Sequence, residues 1–77
     1  MWIFLTKEAY KQYLKLKVLN RNKVEKKISY LILHPFVGKK LSGEYKSSRS
    51  LRAWPYRIIY YIKERQKEIW IVSIIHR

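Results

Sequence analysis

Beyond Lys46 the spacing of apolar residues changes from three and four to two, and this change limits the possible folds more than any other feature of the chain. Ser48 to Trp54, Tyr56 to Lys63 and Glu68 to about Ile75 are rich in Ile, Val, Tyr and Trp, whose branched or planar side chains suit a pleated surface. They read as three strands. The short polar link Glu64 to Lys67 predicts an antiparallel hairpin between the last two, and Pro55 predicts a turn between the first two. Alternation puts Tyr56, Ile58, Tyr60 and Ile62 on one face of the middle strand, and Arg57, Ile59, Tyr61 and Lys63 on the other. One face must pack against something, which leaves the other to line a cleft.

The first half supplies the cover. Trp2 to Leu5 is a short apolar run, a strand by length, and it ends at Thr6, a residue suited to cap a helix, with Glu8 in the favourable first turn. From Lys7 to about Leu19, Ala9, Tyr10, Tyr13 and Leu14 recur at helical spacing, while Lys7, Lys11 and Lys15 form a basic outer stripe. Asn20, Arg21 and Asn22 break that pattern. Asn22 with Glu25 has the form of a capping box for a second helix, whose buried stripe would be Val24, Ile28, Leu31 and Ile32. This helix is expected to stop at His34, because the Pro35 ring disfavours helical geometry in the residue before it. Pro35 to Lys46 holds both glycines, Gly38 and Gly43, and reads as a loop carrying Lys39, Lys40 and Lys46. The expectation is an α+β fold: an N-terminal strand, a helical hairpin and a three-stranded antiparallel meander. Together they make a four-stranded sheet with the helices on one face.

Seventy-seven residues suffice for a single domain spanning 1–77, and a chain so short buries only ~60% of its unfolded surface, so its core must be economical. Apolar residues are 48% of the chain, which excludes a disordered tail despite the charge. That charge points to partners. Eighteen Lys and Arg face five glutamates, leaving +13, an excess that seeks phosphate, anionic lipid or an acidic protein. The absence of cysteine excludes a disulfide framework and thiolate chemistry, and fits a reducing cytoplasm. The N-terminus lacks the basic and small-residue signals of a secretory leader, and no run approaches ~20 apolar residues, so no membrane span is expected.

Candidate chemistry gathers on the strands. Arg49, Arg52, Arg57 and Arg77 carry guanidinium groups that fork onto two phosphate oxygens and stay charged at any working pH. Arg57 is the sharpest of these, since an arginine between Tyr56 and Ile58 in an apolar strand is costly without a partner. His76, at a strand end, is of a residue type able to accept or donate a proton, whereas His34 belongs to the end of its helix. Trp54 and Tyr45 flank the basic loop and strand, placed to stack on bases, while most of the other rings must be core. There is no paired-carboxylate, Ser/His/Asp or metal-ligand spacing and no glycine-rich phosphate loop, so neither a metal nor another cofactor is expected.

Leu41 and Gly43, Leu51 and Arg52, the run Tyr56 to Tyr60, Ile71 and Val72, and the closing His76 and Arg77 resemble the RelE/ParE toxin superfamily. Its members commonly read L-x-G … LR-x-x-x-YRIIY … HR, and their strand, helix, helix, strand, strand, strand order covers the whole chain. The resemblance implies a toxin of a type II toxin-antitoxin system, neutralised by an acidic antitoxin. In the ribonuclease branch, the 2′-hydroxyl of mRNA in the ribosomal A site attacks the adjacent phosphate. Arg57 then matches the family's YR arginine and Arg77 its near-terminal arginine, both stabilising charge. Arg52 belongs to the LR pair, and His76 stands where several relatives carry an ionisable or basic group. Lys39, Lys40, Lys46, Arg49 and Trp54 are the expected RNA contacts. Ser48 and Ser50 stand where the best-known ribonucleases carry lysines, and family chains usually run on past HR to a tyrosine. The resemblance leaves two alternatives of other classes: an inhibitor of DNA gyrase, and a noncatalytic RNA-binding protein of the same fold.

Overall fold

A computed structural model describes residues 1–41 and 48–76. The chain runs β1 (Trp2–Leu5), α1 (Lys7–Leu14), α2 (Val18–Leu33), β2 (Lys39–Lys40), β3 (Ser48–Ala53), β4 (Tyr56–Lys63) and β5 (Glu68–His76). The strands form one sheet in the order β1-β5-β4-β3-β2. The three C-terminal strands pair antiparallel as their period predicts, and β1 joins β5 in parallel, Trp2 opposite Glu68 and Leu5 opposite Ile71. Parallel pairing needs a long connection, and the helices lie within it. The sheet has five strands where four were expected. The added one, β2, is only two residues long, and its pairing of Lys39 with Ser50 and Lys40 with Arg49 is tertiary, with no periodic signal of its own.

Thr6 caps α1 as expected, its hydroxyl accepting from the Ala9 N–H at 3.2 Å. The helical link lies elsewhere than predicted. α1 ends at Leu14 because Leu16 turns inward to the core, and α2 begins at Val18, so Asn22 is inside a helix and caps nothing. Glu25, the other half of the expected capping box, accepts a hydrogen bond from the Tyr13 hydroxyl instead. Arg21 fastens the link by donating to the carbonyls of Leu14 and Leu16, both at 3.2 Å, with its guanidinium over the Tyr13 ring. Hydrogen bonds from a charged donor are worth ~1.5–3 kcal/mol. Tertiary anchors of this kind therefore override the local capping signal.

The core is a layer of Ala9, Leu16, Val24 and Leu31 from the helical side against Ala53, Ile58, Tyr60, Ile69, Ile71 and Ile74 from the sheet. Fully burying one Leu or Ile side chain stabilises by ~1.5–3 kcal/mol, so this short list carries much of the fold. The predicted stripes hold at Ala9, Val24 and Leu31, with Tyr13 and Ile28 packed at the margin, but Tyr10, Leu14 and Ile32 face outward. Pro35 ends α2 as expected, with His34 as its C-cap and the His34 ring 4.5 Å from that of Tyr30.

Candidate functional site

The face of the sheet opposite Ile58 and Tyr60 carries the charge. Register puts Arg52 directly opposite Arg57, Ser50 opposite Ile59 and Lys39 opposite Ser50, so two arginines and a lysine from three neighbouring strands share this outer surface. Like charges directly opposed across a strand pair repel and destabilise. The arrangement invites an anion. Lys39, Lys40, Leu41, Ser50, Arg52 and Arg57 line a pocket of about 380 Å³ without a carboxylate among them. The side chains of Arg21 and Arg49 hydrogen-bond to backbone carbonyls of the chain, whereas no hydrogen bond joins Arg52 or Arg57 to another described residue. Forked cationic donors on rigid strands beside a serine hydroxyl and two flexible ammonium groups suit a phosphodiester.

The lysine side of the pocket is held by a buried latch. The Tyr60 hydroxyl donates to the Pro35 carbonyl and accepts from the Gly38 N–H, each at 2.9 Å, and so fixes the turn that leads into β2. Burial of the Tyr60 phenol raises its pKa, and the Gly38 N–H and nearby Arg49 oppose that rise only in part. Glycine is required at position 38 because a Cβ there would lie 2.4 Å from the Tyr60 oxygen. Arg49 reinforces the same turn, its Nη1 donating to the carbonyls of Phe36 at 3.0 Å and Gly38 at 2.9 Å while its guanidinium lies over the Phe36 ring.

Four of the residues singled out in the sequence, Arg52, Arg57, Lys39 and Lys40, therefore converge on one pocket. Arg49 does not join them, since its position opposite Tyr60 puts it on the helix-bearing face. Trp54 is 63% exposed at the turn between β3 and β4. His76 pairs with Tyr56, on the face opposite Arg57, and its ring stands edge-on to that tyrosine at 5.2 Å. A bulge causes this separation. Tyr60 pairs with Ile71 but Ile59 pairs with Ser73, so β5 carries one extra residue, Val72. A one-residue slip turns every later side chain to the other face. Without it His76 would share the arginine face. Lys46, Tyr45 and Arg77 lie outside the described residues. Leu41, Ser50, Gly38 and Tyr60 were visible in the sequence, but not as lining or support of this pocket. Alternation with Arg52 could have placed Ser50, whereas only the three-dimensional contact exposes the role of Gly38.

Comparison with known proteins gives this geometry a context. The family model described as the ParE toxin of the type II toxin-antitoxin system parDE matches residues 3–77. The fold resembles the toxin-antitoxin complex RelBE2 from Mycobacterium tuberculosis, with a TM-score of 0.90 and 27% identity over 99% of this chain and 96% of that one. It also resembles a YoeB/ParE toxin from Agrobacterium tumefaciens, with a TM-score of 0.88 and 16% identity over 100% of this chain and 99% of that one. For the isolated RelE toxin of E. coli the TM-score is 0.84, with 22% identity over 97% of this chain and 82% of that one. At such identities the last two likenesses concern the fold alone. A search of curated proteins gives no match.

Proposed function

Since the chain belongs to the ParE toxin family of type II toxin-antitoxin systems, within the RelE/ParE superfamily, we propose that it is a toxin that cleaves mRNA on the ribosome through its outer arginine pocket. The observation that carries this reading is the direct opposition of Arg52 and Arg57 beside Lys39 and Lys40. Attack of a 2′-hydroxyl on the adjacent phosphate builds negative charge on the phosphorane oxygens, and fixed cations already in place stabilise that charge without reorganisation. Arg57 and Arg52 take this role, and Arg77 is proposed to join them. Lys39 and Lys40, with Lys46 and Trp54, guide the strand into the pocket. With His76 turned to the other face, proton transfer within the pocket rests with the rim lysines. An enzyme so sparsely equipped gains most from a ribosome that holds hydroxyl and phosphate in line.

The partner proposed for the whole chain, as one domain, is an acidic antitoxin, as the antitoxin complexes among its structural relatives suggest. The net charge of +13 favours rapid encounter with an acidic chain. Exposed Leu14, Val18, Leu19 and Leu33 on and beside the helices offer the apolar area that holds a complex once formed. A second reading, inhibition of DNA gyrase, draws support from the ParE family match and from the orientation of His76. Ribosome-dependent cleavage and gyrase supercoiling measured with one preparation separate the two. Message cut only when ribosomes are present supports the nuclease. Intact message with supercoiling blocked supports the gyrase reading.

A further inference from the structure

Beside the arginine pocket the outer face continues into a second cavity of about 460 Å³, and Leu41 lines both. Its walls among the described residues are the apolar Leu41, Ile59, Val72 and Ile75, together with Ser48, Ser73 and Glu8. Sites for small organic groups are of this kind and of this size, ~300–1,000 Å³, mostly apolar with a few placed polar atoms. The bulge in β5 builds it. Adjacent residues of a regular strand face opposite ways, whereas here Val72 and Ser73 both line the cavity.

Among the described residues that line this cavity Glu8 is the acid, and α1 holds its backbone there. Two residues before it, Thr6 donates its backbone N–H to the Ile71 carbonyl at 2.9 Å and its hydroxyl to the Val72 carbonyl at 3.3 Å. One turn after it, the Gln12 side-chain oxygen accepts from the Ile74 N–H at 2.7 Å, closing the part of the β5 edge that β1 leaves open. With both flanks of the turn fastened to β5, the backbone of Glu8 has a fixed place beside the cavity, from which its side chain can reach a bound base. An acid there lowers the affinity of the surface for phosphate, so its use must differ from that of the arginines.

We infer that this cavity is a nucleobase subsite and that Glu8 selects guanine, an inference that rests on the RNA reading of the adjoining pocket. Arg57 and Ile59 share the outer face two residues apart, ~6.6 Å along the strand, a step that one nucleotide spans between its phosphate and its base. Apolar walls receive the ring faces. At the rim, a carboxylate accepts two hydrogen bonds from the neighbouring N1–H and N2–H donors of guanine. Adenine and cytosine set one amino group beside a ring nitrogen acceptor, and uracil flanks its N–H with two carbonyls that repel the carboxylate. Inosine lacks only the N2 amino group of guanine.

The test is fluorescence anisotropy with labelled 2′-deoxy trinucleotides of guanosine, inosine, adenosine and uridine, which lack the nucleophile and stay intact. The expected order is guanosine, then inosine, then uridine weakest, with guanosine roughly tenfold tighter than uridine, within the roughly five- to 150-fold that a bidentate base contact is worth. Glu8→Gln should bring that ratio close to one and lower the melting temperature by only a few degrees, the loss of one exposed charge from the first turn of α1. Arg57→Ala should weaken all four ligands alike and keep the ratio. Equal binding of the four bases by the wild type, or a guanine preference that survives Glu8→Gln, overturns the subsite. Undiminished affinity in Arg57→Ala with the guanine preference intact overturns the phosphate pocket and leaves the base subsite standing. No binding of any trinucleotide overturns both.

Discussion

Replacing Tyr60 by phenylalanine isolates the latch that carries the lysines to the pocket. The ring stays, so no cavity opens and packing against the core is unchanged. What is lost is one oxygen that donates to the Pro35 carbonyl and accepts from the Gly38 N–H, each at 2.9 Å, at a fully buried residue. Each hydrogen bond is worth about 0.5–1.5 kcal/mol net, and two lost together cost about 2 kcal/mol. For a domain of this size each kcal/mol moves the melting temperature by ~4–8 °C, so Tyr60→Phe should melt ~8–16 °C lower. The assay is thermal and urea unfolding followed by circular dichroism, where the urea midpoint should fall while the slope, set by the surface exposed on unfolding, stays constant. A second readout depends on pH. Burial raises the Tyr60 pKa, so as pH rises past about 10 the unfolded chain loses this proton first and wild-type stability falls. Tyr60→Phe removes that contribution, and the stability gap between the two proteins should narrow above pH 10. A melting temperature within a degree of wild type would refute the latch.

Gly38→Ala sets a Cβ against the same phenol and should destabilise by more than ~1 kcal/mol in the same melts, whereas Gly38→Ala placed on Tyr60→Phe should cost less than the sum of the two. Arg21→Ala leaves the Leu14 and Leu16 carbonyls without their donor and should cost about 1.5–3 kcal/mol in urea unfolding, the value of one charged-donor bond since the bond to Leu14 is exposed, with the helical signal of the folded state retained. In the salt dependence of single-stranded RNA binding, Arg57→Ala should lower the log–log slope by about 0.7, the value of one phosphate contact. An unchanged slope would remove Arg57 from the phosphate site.

The α+β order and the helix-covered meander were legible because apolar period is set by which face a residue turns to the core, and the YRIIY run shows both faces of β4 within five residues. The helix boundaries were not legible. Asn22 and Glu25 have capping chemistry, but Leu16 seeks the core and Arg21 takes the carbonyls of the link, two contacts made across the hairpin rather than along it. β2 escaped notice because two residues have no period. At the site, Arg52 and Arg57 were readable as strand-borne cations, and Lys39 and Lys40 as a basic pair in a glycine-bearing segment. Arg49 was readable as a cation but not as the clamp of the Phe36 and Gly38 carbonyls. His76 was readable as a strand-end histidine, but the single extra residue Val72 that turns it from the arginine face was not. A bulge leaves no mark in alternation when the residues around it are all apolar, as in the run from Ile69 to Val72.

If chemistry belongs to the outer arginine pocket and not to positive charge in general, Arg57 must matter far more than a solvated lysine. Translation-coupled cleavage of a defined message, mapped by its new 5′ ends, tests this when wild type is compared with Arg57→Ala and with Lys11→Ala, a lysine of the exposed stripe on α1. Arg57→Ala should lose cleavage by at least a hundredfold, the scale on which one group stabilising transition-state charge contributes, ~2.7–4 kcal/mol, while Lys11→Ala should cut at nearly the wild-type rate. Equal losses in the two variants, or a wild type that leaves the message whole on the ribosome, would contradict this role of the pocket.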